Sequence, residues 1–137
     1  MKPVILCILT AVFLLECSSS VQKISKESVH SAILRETGKK FECKITDNIV
    51  IDNLISLRNR FSSGWRSTWH TLPAAEKEFL FYDRENNLSG QFGFMPGTAV
   101  IYEGWLLRSL DKKEEKLLRN EFEKSRKFCT ENFLLTP

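Results

Sequence analysis

Two cysteines, Cys43 and Cys129, are all that remain of four once an apolar leader is set aside. They are the tightest constraint on the fold. In an oxidising compartment an even pair defaults to a disulfide, and two cysteines allow one connectivity. The closed loop covers most of the mature chain. Chain entropy then stabilises the fold by an amount on the order of 4–5 kcal/mol. The pair lacks the CxxC spacing typical of redox or metal-binding thiols, so no metal site is expected from it.

The leader itself is MKPVILCILTAVFLLECSSS. Lys2 supplies a positive start, Val4 to Leu15 is apolar apart from Thr10, and Ser18, Ser19 and Ser20 follow. That order is the order of a secretory signal peptide, and the apolar run is too short to span a bilayer. A cut after Ser19 places Cys17 and Ser19 at −3 and −1, and a cut after Ser20 is about as good. The expected division is a signal peptide over 1–19 and one secreted helical domain over 20–137, with no stable membrane span after cleavage. Leu14-Leu15-Glu16-Cys17 has the outline of a lipoprotein box, but Glu16 stands where a small residue is needed.

The formal net charge is +3. Removing the leader takes away Lys2 and Glu16, so the balance survives. Acidic residues are interspersed through the basic stretches, so nucleic acid is not an expected partner. Asn87-Leu88-Ser89 is a glycosylation sequon in a polar stretch.

Periodicity points to an all-α fold, a bundle of about five helices stapled by Cys43–Cys129. The first helix runs from Ser25 to Thr37, with Val29, Ile33 and Leu34 on one side and Gly38 as the stop. Lys39 to Lys44 reads as a short extended segment delivering Cys43 to its partner. Asp47 caps a second helix whose stripe is Val50, Leu54, Leu57 and Phe61, widened by Ile51 and Ile55. Asn53, Arg58 and Asn59 lie mostly away from that stripe, and Gly64 ends the element. Trp65 and Trp69 are spaced to share a helical turn, with Arg66 and His70 beside them. Pro73 opens a third helix with Leu72, Ala75, Phe79 and Tyr82 inward.

Asn86 to Gly97 is the main irregular region. Ala99 to Leu110 is apolar on nearly every side and reads as a central buried helix; the competing reading is a strand over Ala99 to Tyr102. The final helix opens on the capping pattern Asp111-Lys112-Lys113-Glu114. It carries the pairs Glu115–Arg119 and Glu123–Lys127, and places Leu118, Phe122 and Cys129 on one face.

No catalytic constellation accompanies these elements. His30 and His70 are the only two histidines, and HExxH, GxSxG, Walker and GxGxxG patterns are missing. No catalytic residue, metal or cofactor is therefore expected. Trp65, Trp69, Phe92, Phe94, Met95 and Trp105 form an aromatic and methionine group that reads either as a pocket for an apolar ligand or as plain core. Glu103, inside the most apolar stretch, either receives a ligand's polar head or pairs with Arg108 or Arg66. Arg119, Lys124, Arg126 and Lys127 form a basic cluster that meets an anionic partner or is a solvated face. Two functions remain open: an extracellular carrier of a hydrophobic molecule such as a fatty acid, and a signalling or interaction protein acting on an extracellular protein. A small secreted enzyme stands third.

Overall fold

Alternation, and not helical periodicity, governs the middle of this chain. In Ser31–Glu36 the side chains of Ala32, Leu34 and Glu36 are buried on one side while Ile33 and Arg35 on the other are only half-buried. The computed structural model describes residues 20–133. Its strands are β1 (Ser31–Glu36), β2 (Phe41–Ile45), β3 (Arg66–Ser67), β4 (Lys77–Tyr82), β5 (Leu88–Met95), β6 (Thr98–Ile101) and β7 (Leu106–Ser109). Its α-helices are α1 (Asn48–Arg60) and α2 (Lys112–Phe133), and a 3₁₀ turn covers Lys26–Ser28. The strands form one 7-stranded sheet in the order β2-β1-β4-β5-β6-β7-β3. Each neighbouring pair is antiparallel.

Register sorts the side chains into rows across one face. Cys43, Leu34, Phe79 and Phe92 form one row; Ile45, Ala32, Phe81 and Gly90 form the next. A third runs Phe41, Glu36, Lys77, Phe94, Ala99 and Arg108. Both helices pack their apolar stripes into this face. Phe122 of α2 lies edge-on to Phe79 and Phe94, with ring centroids 5.5 Å and 6.3 Å away. Phe61 and Trp65, after α1, close on Phe92 at 5.6 Å and 6.1 Å.

The all-α expectation is therefore corrected: two of the expected helices exist and the rest are strands. Asp47 does cap α1, its carboxylate accepting the N–H groups of Ile49 and Val50. Asp111 and Glu114 cap each other reciprocally at 2.8 Å and 3.0 Å. Leu118, Phe122 and Cys129 are buried together. The extended segment that delivers Cys43 is β2.

The helix expected over Ser25 to Thr37 is a 3₁₀ turn followed by β1. The one expected after Pro73 is a loop and β4, where Lys77, Phe79 and Phe81 alternate inward and override the helical spacing of Leu72, Ala75 and Phe79. The central helix over Ala99 to Leu110 is the β6–β7 hairpin, so the strand reading of that stretch wins. Its apolar residues are shared between two sheet faces and a turn, which a continuous run cannot reveal.

The irregular Asn86 to Gly97 region is mostly β5. Its glycines sit where a side chain has no room: a Cβ at Gly90 would lie 2.3 Å from Ile24 Cδ1, and one at Gly93 2.6 Å from the Ala75 Cβ. Close approach, not a turn, is what these two glycines serve.

An ionic cluster lies inside the third row. Lys77 Nζ is 2.6 Å from Glu36 Oε1, and both side chains are buried. Lys39 reaches the same oxygen at 3.2 Å, and Arg126 of α2 stands 3.4 Å from Oε2. Burial works against the Glu36 carboxylate, but the bonds from Lys77 and Lys39 outweigh it and hold its pKa below the ordinary value. Glu123 turns to Lys77 and Arg126 at 3.6 Å, in place of the expected Lys127. The expected disulfide joins β2 to α2 across 86 residues.

Two outcomes test this framework. Cys129→Ser should lower unfolding free energy by up to about 4 kcal/mol, read as a shift in the urea midpoint. A depressed carboxyl contributes stability above its unfolded pKa and loses it as pH falls through the lower folded value. Urea stability should thus decline below pH 4.5. Glu36→Gln should flatten that decline while costing about 3 kcal/mol at neutral pH, because it leaves the buried Lys77 only the more distant carboxylate of Glu123.

Candidate functional site

The buried stripe of α1 contains a charge. Ile51, Leu54, Ile55 and Arg58 follow one helical face at i, i+3, i+4 and i+7, and all four are buried. The Arg58 side chain thus lies on the core side, not away from it as the sequence reading had it. Arg58 is only 5% exposed. Its Nη1 donates to the Gln22 carbonyl at 2.6 Å, while its Nε is buried without a hydrogen-bond partner. No ion pair involves Arg58 among the described residues. Burial lowers its pKa, but arginine is basic enough to stay charged at neutral pH.

The next residue of the helix holds the N-terminal segment in place. Asn59 Oδ1 accepts the Ile24 N–H and its Nδ2 donates to the Ile24 carbonyl, both at 2.9 Å. The Val21 N–H donates to the Ser62 carbonyl at 2.9 Å. This strap lays Ile24 over Gly90. Between the strap and the end of the sheet runs a groove of about 500 Å³. Ile24, Ile101 and Leu106 give it apolar walls; Arg58, Lys23 and Glu103 are its charged lining. Gln91, also at the groove, accepts the Tyr102 N–H at 2.9 Å and donates to Glu78 at 3.3 Å. Burial raises the Glu78 pKa, against the opposing pull of Arg35 and Gln91.

The residues singled out from the sequence are dispersed. Trp65, Phe92 and Phe94 are fully buried in the core, and Trp65 Nε1 donates to the Phe61 carbonyl. Met95 is half-buried at the end of β5. Glu103 is exposed at the groove, and among the described residues it makes no ion pair; Arg108 instead grips Glu114 at 2.8 Å. Trp69 is 87% exposed and Trp105 51%, so Trp65 and Trp69 do not share a turn.

Trp105 belongs to the Tyr102–Trp105 turn between β6 and β7, closed by its N–H on the Tyr102 carbonyl at 3.2 Å. It adopts a left-handed backbone at φ 55° after Gly104 at 81°, a strained conformation for so large a residue. The Thr68 N–H donates to the Trp105 carbonyl at 2.9 Å, tying the Trp69 loop to this turn. A small cleft of about 210 Å³ lies among Thr71, Leu72, Tyr102 and Trp105. The Tyr102 hydroxyl accepts the Ala75 N–H at 2.7 Å and donates to the Pro73 carbonyl at 3.1 Å, which fixes the cleft's far wall.

The other candidates lie elsewhere. Asn87 is exposed in the β4–β5 turn, where its Nδ2 donates to Asp83 at 3.1 Å. The four residues of the expected basic cluster on α2 are each paired with an acid: Arg119 with Glu115 and Glu76, Lys124 with Glu121, Arg126 with Glu36 and Glu123, and Lys127 with Glu131. Among the described residues no group of three or more His, Cys, Asp or Glu is placed to hold a metal ion. Nor is any described helix long and apolar enough to cross a membrane. The leader, with Cys7 and Cys17, lies outside the described residues.

Arg58 is the residue that sequence reasoning missed. The signal was present, because an arginine four and seven residues beyond Leu54 and Ile51 completes their stripe. Compared with protein-family models, curated proteins and solved structures, the chain has no significant match.

The three tryptophans offer a direct check on this geometry. Iodide should quench most of the emission from Trp69 and Trp105 and leave Trp65 dark to it. Trp69→Phe should therefore remove a large part of the quenchable signal and shift the residual emission to shorter wavelength.

Proposed function

We propose that this protein is an extracellular binding protein that carries a small acidic amphiphile, of which a fatty acid is the simplest example, in the groove at Arg58. The observation that carries the reading is a buried guanidinium, on the wall of a groove, that makes no ion pair among the described residues, the groove's one acid Glu103 included. A buried cation is costly unless it is paired. A ligand carboxylate is the natural complement, because the guanidinium fork accepts it in two parallel hydrogen bonds. Ile24, Ile101 and Leu106 supply apolar surface for the rest of the molecule. The volume of about 500 Å³ falls within the range of about 300–1,000 Å³ common to small-molecule sites.

In this reading Trp65, Phe92 and Phe94 support the groove from the core and do not line it. The apolar leader and the Cys43–Cys129 bridge are the reasons for assigning an extracellular setting. A guanidinium that keeps its proton offers no general acid or base, which favours binding as the role of Arg58. The alternative of an interaction protein draws on a separate observation, the exposure of Trp69 and Trp105.

Titration of the purified protein with a fatty acid and with the alcohol of equal chain length tests the proposal. The acid should bind saturably, one per chain, and at least about tenfold more tightly than the alcohol. Arg58→Gln, with its folding checked by thermal melting, should erase that preference. Equal affinity for acid and alcohol in the unaltered protein would overturn the reading.

A further inference from the structure

We infer that the Trp69–Trp105 end of the sheet is a docking surface for an anionic lipid bilayer, placed so that the groove meets the membrane at its mouth. The purpose given to docking rests on the amphiphile reading of the groove; the docking itself does not. Single exposed apolar residues are ordinary on protein surfaces. Two tryptophans on loops joined by the Thr68–Trp105 hydrogen bond are a different case, since that bond brings the two loops together and both side chains are exposed. The turn holds Trp105 outward at a positive φ that its bulk disfavours, and a costly exposed arrangement is a pointer to use.

Three observations favour a bilayer as the occupant. The first is chemical: the indole, apolar with one N–H, is the ring that settles at headgroup depth. The second is charge. Arg66, in β3, and Lys23, at the groove, are exposed cations on this part of the molecule. Glu103 is the exposed acid of the same turn, and the chain as a whole is +3. That balance suits anionic headgroups.

The third is continuity. Within one hairpin, Glu103 and Leu106 line the Arg58 groove while Tyr102 and Trp105 line the small cleft. The turn that would enter the headgroup layer is therefore also a wall of the groove. An acidic amphiphile leaving the bilayer meets the groove without crossing bulk water, which its apolar body would resist.

Flotation with phosphatidylcholine vesicles, with and without phosphatidylserine, tests the inference on the full secreted protein. The expected result is co-flotation that phosphatidylserine strengthens and added salt weakens. Trp69→Ala and Trp105→Asn should each reduce partitioning about tenfold; asparagine is chosen because it tolerates the left-handed backbone. The double variant should melt no lower than the unaltered protein, which shows that it folds, and should bind octanoate in solution with the affinity of the unaltered protein. Arg58→Gln should float like the unaltered protein.

Failure to float with either vesicle would overturn the docking surface and leave the tryptophans to a protein partner. Flotation that survives the double substitution would overturn it too. Loss of the acid-over-alcohol preference would instead remove the groove reading and leave docking standing.

Discussion

Everything in this molecule depends on the register of β4 between β1 and β5. That register sends Phe79 and Phe81 to the same side as Leu34, Ala32 and Phe92. A slip of β4 by one residue would turn Glu78, Leu80 and Tyr82 inward and Phe79 and Phe81 outward. Phe122 of α2 and the Phe61–Trp65 pair after α1 each find their partner in the same row of rings. The ionic group of Glu36, Lys77 and Arg126 reinforces the choice, since a slipped strand would strand Lys77 away from its carboxylate.

The helices were legible in the sequence because their ends are written in side chains. Asp47 and Asp111 cap through their own carboxylates, and the stripes behind them hold over several turns. The strands were not, and particular residues show why. β5 carries Gly90 and Gly93, which look like loop punctuation until Ile24 and Ala75 are seen pressing on them. Both partners are far away in sequence, so no local pattern announces the contact. β6 and β7 read together as one long apolar run because the sheet buries residues on both faces, Val100 as fully as Ala99. In β4 the spacing of Leu72, Ala75 and Phe79 matches a helix as well as alternation matches a strand, and pairing on both sides decided the matter.

The site was legible only in fragments. Glu103 was singled out for its setting in apolar sequence and Trp105 as one of the aromatic and methionine group, and both sit on a hairpin turn beside a groove and a cleft. The aromatic group as a whole was too broad, because three of its members are needed to fill the core. Arg58 was grouped with the polar Asn53 and Asn59 as lying away from the apolar stripe. The strap of residues 21–25, folding back from outside the helix, completes the burial of a position that the stripe of Ile51, Leu54 and Ile55 already turns inward.

The disulfide has a topological property that concerns the order of assembly. The covalent ring runs from Cys43 to Cys129 and so contains β2, β4 and every strand after it, yet β1 precedes the ring. β1 nevertheless lies between β2 and β4. If the ring closed first, β2 and β4 would be free to pair directly and exclude the strand that belongs between them. The short reversal over residues 37–40 prevents this, because hairpins form in about microseconds while thiol oxidation takes seconds or longer. The staple thus preserves an arrangement that a local turn has already chosen, and it gives no covalent hold on the strand at the centre of that arrangement.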